Sequence, residues 1–185
     1  MSMDFIECLE ENPVIAAICD DKWDAALDAP VQILFYLSAN ILSLKKKVMQ
    51  AHDAGKKLVV HIDLAEGIGK DRAGIEFLKQ CGVDGLISTR SSLIRIAKDV
   101  GLVTVQRCFA LDSKGVVSIG EIIQKSGPDL IEIMPGVIGK IIYRFSKLGT
   151  PVIAGGLLET KSEVTTALSS GAVAASTGKL ELWYI

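Results

Sequence analysis

The chain has 185 residues, 49% of them hydrophobic and 23% charged, with 20 Lys and Arg against 22 Asp and Glu for a formal net charge of −2. That is apolar material enough for a sizeable core in one domain, and it excludes a disordered chain. Near-neutral charge with 5% aromatics gives no global sign of a nucleic-acid surface.

In chain order, Met1 to Glu11 carries Asp4, Glu7, Glu10 and Glu11 instead of a basic start, and no apolar run is long enough to span a bilayer. Neither a secretory signal nor a membrane helix is therefore read. Cys8, Cys19, Cys81 and Cys108 form no CxxC pair and no metal-ligand spacing, so they read as reduced cytoplasmic thiols. Val14 to Cys19 is the first strand, ended by Asp20-Asp21, and Lys22 to Asp28 fits a short helix. Pro30 resets the chain before a second strand, Gln32 to Leu37. Ser38-Ala39-Asn40 then turns into a helix with Leu44, Val48 and Ala51 on one face and Gly55 at its end. The basic run Lys45-Lys46-Lys47, with Lys56-Lys57 beyond the helix, reads as a solvated face towards the amino-terminal side of the strands. Charge alone would let it touch an RNA backbone.

The third strand, Lys57 to Leu64, alternates Leu58, Val60, Ile62 and Leu64 with Lys57, Val59, His61 and Asp63. With the apolar face against helices, His61 and Asp63 point into a barrel or crevice. The loop Ala65 to Lys70 follows, and Asp71 caps a helix through Ile75, Phe77 and Leu78 that ends near Gly82. Strand four, Gly85 to Arg90, closes on Ser88-Thr89-Arg90, with Ser91 or Ser92 as the next cap and Gly101 as the stop. Strand five, Leu102 to Leu111, holds Gln106 and Arg107, of which alternation lets only one face inward. Asp112-Ser113 opens the following helix. Strand six, Leu130 to Met134, carries Glu132 and ends in Pro135-Gly136, and a helix through Ile141, Ile142 and Phe145 runs to Gly149.

The last stretch carries the clearest ligand signal. Val152 to Ala154 is a strand broken by Gly155 and Gly156, Thr160 or Ser162 caps a helix reaching Gly171, and Val173 to Ala175 is a strand ending in Ser176, Thr177 and Gly178. Small residues there let backbone N–H groups approach an anion, and the loops after the last two strands are where a parallel barrel usually seats a phosphate. The plainer reading makes them turn residues only. With Leu180 to Ile185 counted as a truncated eighth helix, eight strand–helix units predict a small single-domain (β/α)8 TIM-type barrel over 1–185. The alternative, an open doubly wound sheet, has difficulty burying charge on so many central strands.

Inward candidates are His61, Asp63, Ser88, Arg90, Gln106 or Arg107, and Glu132. Buried charges must pair, reach water or meet a ligand, so a ring of purely structural salt bridges competes with a binding site. His61, Asp63 and Glu66 form a weak metal-ligand set. Schiff-base chemistry has no Lys at a strand's carboxyl end, apart from Lys70 in a loop. Glu132 or Asp63 as general base keeps open a barrel isomerase, lyase or phosphodiester hydrolase acting on a phosphorylated three-carbon substrate. A binding protein with no RNA partner is a third class.

The words VVHIDLAEGIGKD, DGLISTR, TVQRCFALDS, IEIMPGVIGKII and VIAGGLLETKSEVTTALSSGAVAAST, with a terminal LW, together resemble the glycerol-3-phosphate-responsive antiterminator family, from Pro13 to Trp183. The resemblance implies a small cytoplasmic (β/α) barrel, a regulator and not a catalyst; no cofactor, metal ligand or membrane attachment is assigned, and a homo-oligomer and a metal joining the site are left open. It implies that the barrel senses glycerol 3-phosphate and prevents premature termination on the leader mRNA of glycerol-utilisation genes. It places Gly155, Gly156, Ser176, Thr177 and Gly178 on the phosphate through backbone N–H groups, with Arg90 or Arg107 neutralising charge. His61, Asp63 and Glu132 take the glycerol hydroxyls, and Gly136 completes the ligand set. Cys19 and Arg90 stand where Lys is usual, Gly139 where Pro is, and Gly178 where Ser is. Cys19 thereby lacks one anion contact. The loop Ala65 to Lys70 is the candidate switch.

Overall fold

Each apolar run pairs in parallel with the next, and the last pairs with the first. In the computed structural model, which describes residues 3–185, β1 (Val14–Ile18), β2 (Ile33–Tyr36), β3 (Lys57–His61), β4 (Gly85–Ser88), β5 (Val103–Phe109), β6 (Leu130–Met134), β7 (Val152–Gly155) and β8 (Ala174–Thr177) close a barrel in sequence order. Helices α2 (Trp23–Asp28), α3 (Leu44–Asp53), α4 (Arg72–Gln80), α5 (Ser91–Val100), α6 (Ser113–Ser126), α7 (Gly139–Ser146) and α8 (Lys161–Ser169) follow β1 to β7 and form the outer ring. Among the described residues no helix is long and apolar enough to cross a membrane.

Local chemistry sets the helix starts. Asp71 and Asp112 accept from the backbone N–H of Gly74 and Gly115 at 2.9 and 2.7 Å, and Thr160 and Glu163 form a reciprocal capping box. Neither Ser91 nor Ser92 caps α5. Its N-cap is Arg90, without a side-chain cap bond, and Ser91 is already helical. Gly101 ends α5 at φ 81°, a left-handed conformation that glycine adopts without steric cost.

Period-two alternation divides the strands into two apolar layers. Ile15, Ile33, Phe35, Val59, Ile87, Val105, Leu130, Ile153 and Ala174 fill the barrel, while their alternates, such as Leu34, Leu58, Leu86 and Ile131, pack against the helices. An amino-terminal helix, α1 (Met3–Glu11), lay hidden in the acidic start of the chain. Its Phe5, Cys8 and Leu9, at helical spacing, pack into the inner cluster from the amino-terminal end and plug the barrel floor. Burying Phe5 there is worth roughly 2–3 kcal/mol.

Two elements differ from expectation. The third strand stops at His61, and Ile62–Leu64 is a 3-10 turn, so alternation does not extend to Asp63 and Leu64 lies exposed. The eighth unit closes with the 3-10 turn Leu180–Tyr184, too short for an α-helix. Its Trp183 is buried and donates from Nε1 to the carbonyl of Thr177 at 2.9 Å.

Candidate functional site

At the carboxyl end of the strands a cavity of about 410 Å³ opens between the loops. It is lined by Arg107, Glu132, Gly156, Ser176, Thr177 and Gly178 from the expected set, together with Lys22, Lys179, Met134, Leu157 and Glu159. A larger hollow of about 580 Å³ lies at the opposite end, against Phe5. Its charges hold the scaffold together. Lys79 donates to the carbonyl of Gly101, Lys98 to that of Gly127, and Asp84 accepts from the Leu58 amide and pairs with His52. Lys56, only 6% exposed, spends its ammonium on the carbonyls of Ala29 and Val31, so it is unavailable to RNA.

The floor of the carboxyl-end cavity is an ion pair locked from both sides. β5 turns Arg107 inward and β6 places Glu132 beside it in register. Arg107 Nε lies 2.5 Å from Glu132 Oε2, and Ser176 Oγ donates to Oε1 at 2.5 Å. The two charged side chains are 10% and 1% exposed. Gly155 makes the room: a Cβ there would overlap the Glu132 carboxyl group and stand 2.7 Å from Ser176 Oγ. His61 is in register with Ile87 of β4, which pairs with Val105, two residues before Arg107 on β5. It is 3% exposed, and its Nδ1 has no hydrogen-bond partner. Burial first, then the Arg107 charge, holds its pKa below the ordinary histidine value, so the ring is neutral at pH 7. Behind the sheet Cys108 is raised to about 12 by burial and then by the Glu132 charge, which keeps it a thiol.

Several expected groups stand elsewhere. Asp63, on its 3-10 turn, leaves the lumen and accepts from Ser88 Oγ, the Thr89 amide and Thr89 Oγ1, with Arg90 Nε at 3.2 Å. Arg90, 54% exposed, is thereby bound to a carboxylate at the rim. Ser88 and Gln106 face outward, and Gln106 donates to the Ser88 carbonyl at 3.1 Å, so Arg107 is the inward member of its pair. The Gly136 amide is consumed by the carbonyls of Gly155 and Gly156, which ties the β6 loop to the β7 loop. Thr177 directs its hydroxyl to the Leu158 carbonyl at 2.9 Å and its carbonyl accepts from the Trp183 indole, so both of its oxygens are engaged away from the mouth. Gly156 and Leu157 take φ 74° and 60°, and the non-glycine residue in the left-handed region marks a strained turn at the cavity edge.

The loop Ala65 to Lys70 is tied down. Its Glu66 bridges Asn40 through backbone and side chain, and Lys70 donates to the carbonyls of Ala65 and Ile68. Glu66 and Asp63 are thus engaged apart from His61, and among the described residues no three His, Cys, Asp or Glu side chains converge to hold a metal ion. The lysine run also moves. α3 begins where β2 delivers the chain, so Lys45 and Lys46 lie exposed in its first turn on the mouth side, while Lys47 pairs with Asp20 at 2.9 Å and covers the Trp23 ring. Sequence reasoning missed Lys22 and Lys179 as cavity residues. The signal was their position just past β1 and β8.

Residues 14–183 match the family model described as glycerol-3-phosphate responsive antiterminator. The chain belongs to this family. A crystal structure of the glycerol uptake operon antiterminator regulatory protein from Listeria monocytogenes superposes with a TM-score of 0.88 at 36% identity, covering 93% of this chain and 95% of that one. A glycerol uptake operon antiterminator-related protein from Thermotoga maritima gives 0.83 at 35% identity over 92% and 96%. The uncharacterized protein YgcP of Escherichia coli K12 is 35% identical over 184 residues, 98% of this chain and 96% of its own length. The family is described by a regulatory role, antitermination, and not by a catalysed reaction.

Proposed function

We propose that the protein is a cytoplasmic sensor that binds glycerol 3-phosphate in the carboxyl-end cavity and, when liganded, acts on the leader mRNA of glycerol-utilisation genes to prevent premature termination. The observation that carries the ligand half is the polar floor beneath a cavity of small-molecule size: a buried Arg107–Glu132–Ser176 lock beside a neutral His61 whose Nδ1 is unpartnered. Such groups present both donors and acceptors, as glycerol hydroxyls require. The backbone of Gly156, Ser176, Thr177 and Gly178 edges the same space, where the phosphate is seated. Gly155 and Gly136 shape it without touching ligand, and Asp63 with Arg90 forms the neighbouring rim. The RNA half rests on membership of the family, with the exposed Lys45 and Lys46 on the mouth side as phosphate-backbone contacts.

Thermal denaturation of the purified protein with glycerol 3-phosphate, glycerol or inorganic phosphate tests the ligand half. Glycerol 3-phosphate at 100 times its dissociation constant stabilises by about 2.7 kcal/mol. The RNA half is tested by leader-RNA binding with and without that ligand, since an effector shifts a state only through differential affinity. Absence of any ligand shift refutes the first half, and RNA affinity indifferent to ligand refutes the second.

A further inference from the structure

Around the cavity most cations are already matched by a carboxylate. Arg107 faces Glu132, Arg90 at the rim faces Asp63, and Lys179 lies 3.4 Å from Glu159. Lys22 is different. Its ammonium contacts the carbonyl oxygen of Gly178 at 2.6 Å, and none of the described carboxylates pairs with it. A neutral carbonyl accepts a hydrogen bond but leaves the full positive charge in place, part-buried and lining the cavity.

We infer that Lys22 is the group that meets the phosphate charge, an assignment that rests on the proposed sensor reading and orients its ligand. A phosphate drawn to Lys22 sits at the edge formed by Gly156 and Gly178, which leaves the hydroxyls to the Arg107–Glu132–Ser176 floor. The lysine is held ready for this role. Its amide donates to the Cys19 carbonyl at 3.2 Å, and the next residue, Trp23, is buried and packs on the Tyr36 ring at 5.1 Å between centroids.

Isothermal titration of glycerol 3-phosphate and of glycerol into the parent chain and into Lys22→Gln, Lys22→Arg and Lys179→Met tests this. Glutamine keeps an N–H donor on a side chain one bond shorter but carries no charge, so affinity for glycerol 3-phosphate falls roughly 10- to 100-fold. Arginine restores most of that loss, glycerol binding is unmoved, and Lys179→Met, at a cavity lysine with Glu159 3.4 Å away, lowers affinity by less than Lys22→Gln does. Melting curves for each variant separate a folding defect from a binding one, and Lys22→Arg keeps the test decisive if the glutamine variant does not fold. In that case, arginine binding within a few-fold of the parent supports the role and a loss as large as that expected of glutamine overturns it. Folded Lys22→Gln binding within threefold of the parent overturns the assignment while leaving the sensor reading intact. Failure of the parent chain to bind glycerol 3-phosphate removes the sensor reading and the assignment together.

Discussion

Replacing Glu132 by Gln changes one atom's identity and strands a charge. The guanidinium of Arg107 lies 2.5 Å from the carboxylate in a pair whose members are 10% and 1% exposed. Breaking a buried pair from one side costs about 3–5 kcal/mol, because the remaining charge keeps its desolvation penalty without its partner. Arg107 borders an open cavity, so the lower end applies, about 3 kcal/mol. With an unfolding entropy near 2.1 cal/mol/K per residue, a chain of this length loses about 8 °C in melting temperature. Urea unfolding gives the same quantity at fixed temperature, and Arg107→Met combined with Glu132→Met recovers most of it, since neither charge is then left alone. A single variant that melts within 2 °C of the parent refutes the reasoning: the lumen would then be wet enough to screen the pair.

Burial and Arg107 hold His61 below its ordinary pKa, so the unfolded chain binds the proton more readily. Stability is fully present above about pH 6.5 and is lost as pH falls through the lower, folded-state value, with a slope of up to about 1.4 kcal/mol per pH unit. Urea midpoints from pH 7.5 to 5 for the parent and His61→Gln check this, and equal slopes refute it. Gly155→Ala drives a methyl into the Glu132 carboxyl group and costs about 1–3 kcal/mol by overpacking. Gly120→Ala, inside α6 with nothing within 4 Å of the added carbon, instead stabilises by about 0.5–1 kcal/mol. Chemical denaturation distinguishes the two, and similar costs at both sites would overturn the steric argument.

The barrel was legible because its strands are short apolar runs punctuated by glycine, and the closure follows from eight such runs in one register. Arg107 and Glu132 were visible for the same reason, since charge in the middle of an apolar strand has to be matched. Asp63 misled because alternation carries no mark of where a strand ends, and the turn at Ile62 swings the carboxylate onto β4. α1 was obscured by its acidic face, although Phe5 and Leu9 sit four residues apart. Lys22 offered only its position just past β1, which does not by itself say where the side chain goes. What brings it to the cavity is the hydrogen bond to Gly178, 156 residues away, and such a contact exists only once the barrel has closed.

The plug formed by Phe5, Cys8 and Leu9 makes the barrel a blind cup. Among the described residues, the carboxyl-end cavity opens at the rim carrying Lys22, Leu157 and Lys179. A partner resting on that rim would delay the ligand's escape. By linkage, whatever affinity the proposed effector lends to such a partner is returned to the effector in equal measure.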